Sequence, residues 1–398
     1  MPHNSAHAPH FSSLELLAPF PPTRYAFAYG SAALPQAFAA STPLKDSMLD
    51  LILAVDDPVL WHTENLQRNR DHYSWLARST GAASIGQIQE SNFGARMWYN
   101  ALVTLPSGRL IKYGVISSRA LSSDLTEWNN LYASGRLHKP VADLQQPSTL
   151  LTAAMLYNRR AALRASLLLL PAQFTLRDFF RTLVTLSYGG DWRMTFGESP
   201  KKIDNIVDGA PHSFAQVYET IFASHQKFVT LHGSVSDLST ICKQDKSMKT
   251  QIHLGQTLPL SVQKGIATRA AKEDLYNNKD IIGDDEENIN IKATSTTGSG
   301  RGGDGGDDAI EIQIRSAAST DVAIQSFWST LAAAQRRVGS NDSNTHHLAQ
   351  LLKPTLSAIV APAAAGQAII GILTAGPEKA TKYAAAKLKK VFKLITRH

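Results

Sequence analysis

The chain has a single cysteine, Cys242, in 398 residues. That excludes an intramolecular disulfide and a cysteine-rich zinc site, and it suits a reducing compartment. No stretch reaches eighteen uninterrupted apolar residues, so no transmembrane helix is expected. The apolar run from Ala161 to Pro171 is short and broken by Arg164; it reads as a buried helix. Met1 to Thr23 holds no Lys or Arg. It has neither the Arg-rich character of a mitochondrial presequence nor the positive start of a secretory signal. No internal repeat is found.

What is present fits a globular protein with a sizeable core: 43% apolar and 18% charged residues, over a length that suggests two domains. The formal net charge of +7 points to acidic partners such as nucleic acid, anionic lipid or nucleotide phosphates.

Mixed strand and helix patterns from Arg24 to Val141 predict an α/β domain. Tyr25 to Tyr29 reads as a strand and Leu49 to Val55 as a buried one. Asp57 is placed to cap a helix opened by Pro58. Tyr99 to Leu105 and Arg109 to Ser117 flank Pro106-Ser107-Gly108 as a hairpin, and Ser123 to Leu131 looks helical. From Ser148 the pattern turns helical: Leu150 to Leu170, Thr175 to Leu186, Lys201 to Val207 and Pro211 to Phe222. The predicted organisation is a loose extension over 1–23, an α/β domain over 24–147 and a mainly helical domain over 148–280. An acidic Gly-rich insertion over 281–309, a helical region over 310–376 and a basic tail over 377–398 follow. The glycines from Gly298 to Gly306 lack the Lys-Ser/Thr and the preceding strand of a phosphate loop, so that run is read as a linker.

Tyr29-Gly30-Ser31 precedes the acid-tipped apolar strand Asp50 to Asp57. Nucleotidyltransferases use this layout: the turn brings backbone N–H groups to a triphosphate, and the strand offers carboxylates to Mg²⁺. Asp50 is the first metal-ligand candidate. Its alternate positions are Met48 and Ile52, so a second acid must come from elsewhere. Asp56 and Asp57 read as a cap or turn. Asp191, in Gly189-Gly190-Asp191-Trp192-Arg193, is the second candidate, with Arg193 placed to meet a phosphate; a structural Asp191–Arg193 pair is the alternative. Lys112, mid-strand among apolar neighbours, is either an edge gatekeeper or a phosphate ligand. Arg136, His138 and Lys139 form a basic cluster for a triphosphate or lipid headgroup, or else a solvated loop. His62 and His72 read as structural and His346-His347 as surface, and Ser234 has no nucleophile signature.

The blocks Asp50–Pro58, Val59-Leu60-Trp61-His62, Gly108–Ser117, Gly135–Val141 and Leu186–Met194, in this order and ahead of a Lys-rich end, resemble the mitochondrial translocator assembly and maintenance family. These are the matrix-side CDP-diacylglycerol synthases. The resemblance is dense from Arg24 to about Gly197 and returns from about Leu351. Where the family carries Gly-Ser-Gly-Val, this chain has Gly30-Ser31-Ala32-Ala33. The resemblance implies a polymerase-β-like nucleotidyltransferase domain and a winged-helix-like second domain. It implies a peripheral enzyme of the matrix side of the mitochondrial inner membrane. That enzyme would use Mg²⁺ to join CTP and phosphatidic acid and would feed phosphatidylglycerol and cardiolipin synthesis. Asp50, Asp191 and Lys112 would then be catalytic, with Asp50 and Asp191 on the metal. Gly30, Ser31, Arg136, His138, Lys139 and Arg193 would bind the nucleotide. No nucleic acid is expected, because no basic recognition helix appears. Two other readings are a nucleotidyltransferase acting on RNA or protein and a membrane-bound assembly factor with a degenerate site.

In the tail, Ala384, Leu388, Val391, Phe392 and Ile395 fall on one helical face. Lys379, Lys382, Lys389, Lys390 and Lys393 fall on the other. This pattern predicts a basic amphipathic helix on an anionic membrane surface.

Overall fold

The computed structural model describes residues 12–30, 32–33, 48–191, 201–279, 322–333 and 347–371. Apolar alternation and β-branched runs build a mixed five-stranded sheet from β1 (Tyr25–Tyr29), β2 (Leu49–Val55), β3 (Met97–Thr104), β4 (Leu110–Ser117) and β5 (Ala142–Gln145), in the order β3-β4-β2-β1-β5. β2 and β4 run parallel and the other pairs are antiparallel. β2 lies centrally, and its apolar residues are buried on both faces, which explains its near-continuous apolar sequence.

Helices cover the two faces. On one, Trp61 of α2 (Pro58–Arg68) joins Leu49, Leu51, Leu53 and Val55 in a core cluster. On the other, Leu121 and Leu125 of α4 (Ser118–Glu127) and Met155 of α6 (Thr149–Leu169) join Tyr25, Phe27 and Ile52. Asp57 caps α2 through the Leu60 N–H at 3.0 Å, with Pro58 in the first turn. α4 starts five residues before the sequence pattern suggested, because the Ser117 hydroxyl accepts from the Ala120 N–H at 3.2 Å. It stops at Trp128, whose φ of 56° is left-handed.

Of the segment expected to be a loose extension over 1–23, residues 12–23 are described, and they pack on the sheet domain. Leu16 in α1 (Ser13–Leu17) and Phe20 just after it are 2% and 5% exposed. The Phe20 ring packs 4.8 Å from Tyr113 and 6.3 Å from Trp61. The Trp61 indole N–H donates to the Pro21 carbonyl at 3.2 Å and the Asn69 amide to that of Pro19 at 2.8 Å. Residues 12–23 are therefore bound into the sheet domain by apolar side chains that the Pro-rich composition obscured.

α6 crosses from one core to the next. Ala154 and Met155 belong to the sheet cluster, whereas Ala161 to Leu168 enter a second core. That core takes in Trp128 and Leu131 from the end of α4 and the loop after it. It is built from α7 (Leu176–Thr185), α8 (Lys202–Asp208), α9 (Pro211–Ala223), α10 (Met248–Gln256) and α11 (Leu260–Lys279), α3 (Trp75–Glu90) lying on the sheet domain. A small antiparallel sheet β6-β8-β7 (Gln173–Thr175, Ile241–Gln244, Val229–His232) flanks it. A Thr175–Asp178 capping box starts α7. Phe179, Phe180, Phe214 and Phe222 pack ring to ring at 4.7–5.2 Å.

Two more helices, α12 (322–333) and α13 (His347–Gly371), complete the described chain. α13 has a mean hydropathy of 1.3 and is long and apolar enough to cross a membrane. Its Leu351, Leu352, Leu356, Val360 and Ala364 are instead packed in the second core, and Ala363 reaches the sheet cluster. Near its end the Gln367 side chain accepts from the Ala95 N–H at 3.1 Å and donates to the Met97 carbonyl at 3.0 Å. The insertion at 281–309 and the tail at 377–398 lie outside the described residues.

Behind the sheet a polar network is fully enclosed. His62 Nδ1 meets the Tyr73 hydroxyl at 2.8 Å and its Nε2 meets Gln89 at 3.0 Å. The Asn65 amide donates to the Tyr73 and Tyr113 hydroxyls, and Asn100 donates to Tyr113. Burial pushes the His62 imidazole down to about 4. His62 and His72 are thus structural, as the sequence suggested.

Two outcomes follow. Phe20→Ala should cost about 3–5 kcal/mol of unfolding free energy in a urea titration, as for other buried aromatics; a loss below about 1 kcal/mol would mean the segment is not anchored. A histidine held neutral in the fold but protonated when unfolded removes stability as pH falls from about 6.5 toward 4. The urea midpoint should drop across that window, and His62→Gln should give a shallower drop than the wild type.

Candidate active site

Strand register brings the first site residues together. Tyr29 pairs with Asp50 across β1 and β2, and Asp50 pairs with Lys112 across β2 and β4. Directly opposed residues project from the same face, so Tyr29, Asp50 and Lys112 form one row at the end of the sheet. β4 lies between β2 and β3, so Lys112 is not guarding a sheet edge.

The Gly30 turn stands over this row. Gly30 has φ +82°, and a Cβ there would lie 3.8 Å from an Asp50 carboxylate oxygen. The Ala33 N–H donates to the Gly30 carbonyl at 3.1 Å and closes the turn. Ser31 lies outside the described residues.

An aromatic wall follows. Gly114 lacks the Cβ that would come within 2.7 Å of the Tyr99 ring, and this lets Tyr99 lean across β4. Lys112 Nζ lies 4.4 Å from the Tyr99 ring centre, and the Tyr29 and Tyr99 hydroxyls are 3.4 Å apart. Burial, and next the Asp50 carboxylate, raise the Tyr29 phenol above its ordinary value, so it stays protonated beside the carboxylate.

The basic cluster begins on a short helix, α5 (Ser134–Leu137). The loop leading to it is pinned by Asp124, which is 3% exposed. Its carboxylate accepts from the N–H groups of Asn130, Leu131, Ala133 and Ser134 and from the Ser134 hydroxyl, all at 2.9–3.1 Å. Arg136 then lies 3.9 Å from the Tyr132 ring and 5.0 Å from that of Tyr29. Lys139 Nζ donates to the Gly135 carbonyl and, at 3.2 Å, to the Ser187 hydroxyl. Burial, then Arg136 and Lys202, push this lysine down to about 7.

His138 belongs elsewhere. Its ring is 0% exposed, bonded to Asn158 at 3.0 Å and 5.2 Å from Trp128. Burial, then Lys139, push it down to about 3. A neutral ring enclosed in the core does not reach a nucleotide, so the sequence expectation for His138 is corrected.

Asp191 ends the turn that Lys139 holds. It is 7% exposed, and its N–H donates to the Tyr188 carbonyl at 3.1 Å. Gly190, at φ +82°, seats this turn on α13: a Cβ there would lie 2.5 Å from the Ser357 carbonyl. Arg193 and the five tail lysines, Lys379, Lys382, Lys389, Lys390 and Lys393, lie outside the described residues. Asp56 is not in the row; it accepts from Arg24 at 2.6 Å on the surface.

Among the described residues no group of three His, Cys, Asp or Glu side chains forms a metal cage. Mg²⁺ needs no such cage, because one or two carboxylates and substrate phosphates suffice; the half-buried Asp50 beneath a glycine turn fits that donor set. Sequence reasoning missed Tyr29, Tyr99, Tyr132 and Lys202. Only Tyr29 carried a signal, through its place next to Gly30.

Gly190→Ala should lower stability by about 1–3 kcal/mol in thermal or urea unfolding. Gly189→Ala is the control, since its methyl would meet nothing closer than 3.4 Å. Equal effects would refute the seating of the Asp191 turn on α13.

Residues 14–390 match the family model described as phosphatidate cytidylyltransferase, mitochondrial. Proteins of that name are similar to this chain in zebrafish (Danio rerio), 47% identical over 49% of this chain and 57% of the relative. In rat (Rattus norvegicus) the figures are 41%, 63% and 72%. In human (Homo sapiens) they are 40%, 61% and 52%. The chain therefore spans from about half to nearly three quarters of these relatives' lengths. With its matched region holding both the Tyr29–Asp50–Lys112 row and the Arg136–Lys139 cluster, the chain belongs to the mitochondrial phosphatidate cytidylyltransferase family.

Proposed function

We propose that this protein makes CDP-diacylglycerol and pyrophosphate from CTP and phosphatidic acid. The observation that carries the reading is the row of Tyr29, Asp50 and Lys112 beneath the Gly30 turn, in a chain of this family. The sheet domain is then a polymerase-β-like nucleotidyltransferase. The helices with the small β6-β8-β7 sheet are its winged-helix-like companion.

The lipid phosphate oxygen attacks the α-phosphorus of CTP. A P–O bond forms there, the α–β bridge breaks, and pyrophosphate leaves with the electron pair. The attacking oxygen is already ionised at neutral pH, so no general base is required. The protein's work is to position two polyanions and offset their charge. Lys112 and Arg136 supply fixed positive charge on either side of Tyr29 and Tyr99. The neutral Tyr29 hydroxyl can donate to a phosphate oxygen without adding negative charge. Asp50, with Asp191 as the second candidate, would hold Mg²⁺, which neutralises the triphosphate when bound. Gly30 with Ser31 would cradle the phosphates, and Arg193 would join them.

The basic tail would keep the enzyme on the matrix face of the mitochondrial inner membrane as a peripheral protein. Each of its lysines near an anionic surface is worth about 1 kcal/mol. The product would serve phosphatidylglycerol and cardiolipin synthesis.

The test is transfer of label from α-labelled CTP into lipid, with phosphatidic acid vesicles and Mg²⁺. Wild type should form labelled CDP-diacylglycerol, and Asp50→Ala should lose activity by about a thousandfold, the scale for removing a key electrostatic group. Folded, vesicle-bound wild type that forms no labelled lipid would overturn the reading and favour an assembly role. Asp50→Ala at full rate would remove Asp50 from the site.

A further inference from the structure

Beyond Arg136 the site continues into a second group of cations. Lys139, from the sheet domain, and Lys202, from α8, both lie against one ring: their Nζ atoms are 5.0 Å and 4.8 Å from the centre of Tyr188. Lys139 is held there by the Gly135 carbonyl and the Ser187 hydroxyl. Among the described residues, Arg136 and Lys202 are the charged neighbours that act on Lys139, and both are positive. Half-buried like charges gathered around an aromatic ring oppose folding, and such an arrangement is a mark of an anion site.

The order of groups says which anion. From the Gly30 turn the neighbours run Asp50, its strand partner Tyr29 and Arg136, then one turn on to Lys139, Tyr188 and Lys202. An in-line displacement puts the attacking oxygen and the leaving pyrophosphate on opposite sides of the α-phosphorus. With the triphosphate at the Gly30 and Asp50 end, the acceptor phosphate falls at the other end. We propose that Lys139 and Lys202, gathered at Tyr188, form the subsite for the phosphate monoester headgroup of phosphatidic acid, and leave Asp50 and Lys112 to the nucleotide. This rests on the activity proposed above. Once an arriving anion protonates Lys139 fully, two ammonium groups match a phosphate monoester dianion in charge, and the Tyr188 ring lies against both lysines. The subsite takes one lysine from each domain, so headgroup binding depends on how the two domains are held together.

Two-substrate kinetics would decide. Labelled CTP and phosphatidic acid in mixed micelles are varied independently for wild type, Lys202→Gln and Lys202→Arg, with thermal unfolding as the folding control. Loss of one charged contact should raise the KM for phosphatidic acid about tenfold, with the KM for CTP within about twofold. Lys202→Arg, which keeps the charge, should recover most of the loss. A rise in the KM for CTP instead would assign these lysines to the triphosphate and overturn the proposal, as would unchanged values for both substrates. Wild type without turnover would sink the activity reading itself, an outcome distinct from an active wild type with an unaltered Lys202→Gln.

Discussion

A single buried carboxylate organises the ground between the two halves of this protein. Asp124 accepts five hydrogen bonds from the loop that follows α4. That loop drives Trp128 and Leu131 into the second core and leaves Tyr132 and Ala133 in the first. Arg136 and Lys139 are carried on the next turn. A carboxylate 3% exposed is costly without partners. With its oxygens satisfied by backbone N–H groups, the same burial makes the loop conformation nearly unique. The position of the basic cluster is thus inherited from a residue that touches none of it.

The rest of the site rests on sheet register. A one-residue slip of β2 would send Asp50 to the face covered by α2 and leave Leu49 or Leu51 facing Tyr29. Burial on both faces of β2 forbids the slip. On the far side of β4, Tyr113 is fastened by Asn65 and Asn100, which fixes the strand that carries Lys112. Placement of the candidate site residues and core packing are therefore the same constraint seen from two sides of one sheet.

Much of this could be read in the sequence where physics is local. Strand β2, the Asp57 cap, the hairpin through Gly108 and the helices from Thr149 to Ala223 all follow from periodicity and caps. Asp50 and Lys112 were legible because both stand alone among apolar residues. What escaped depends on distant partners. His138 looked like part of a basic loop, yet Asn158 and Trp128 enclose it. Phe20 and Leu16 hid in a Pro-rich segment whose partners lie more than forty residues away on α2 and β4. Tyr99 reaches Lys112 only because Gly114, on the paired strand, leaves room.

α13 has a consequence of scale. It meets the Asp191 turn through Ser357, against which Gly190 is seated, and its described residues run on to Gly371. At 1.5 Å per residue that interval is a rod of about 21 Å. Its far end is clamped to the sheet by Gln367, so the rod has little freedom to swing. The Asp191 turn and the sheet edge at Ala95 and Met97 are thereby held a set distance apart, and the helix works as a gauge between them.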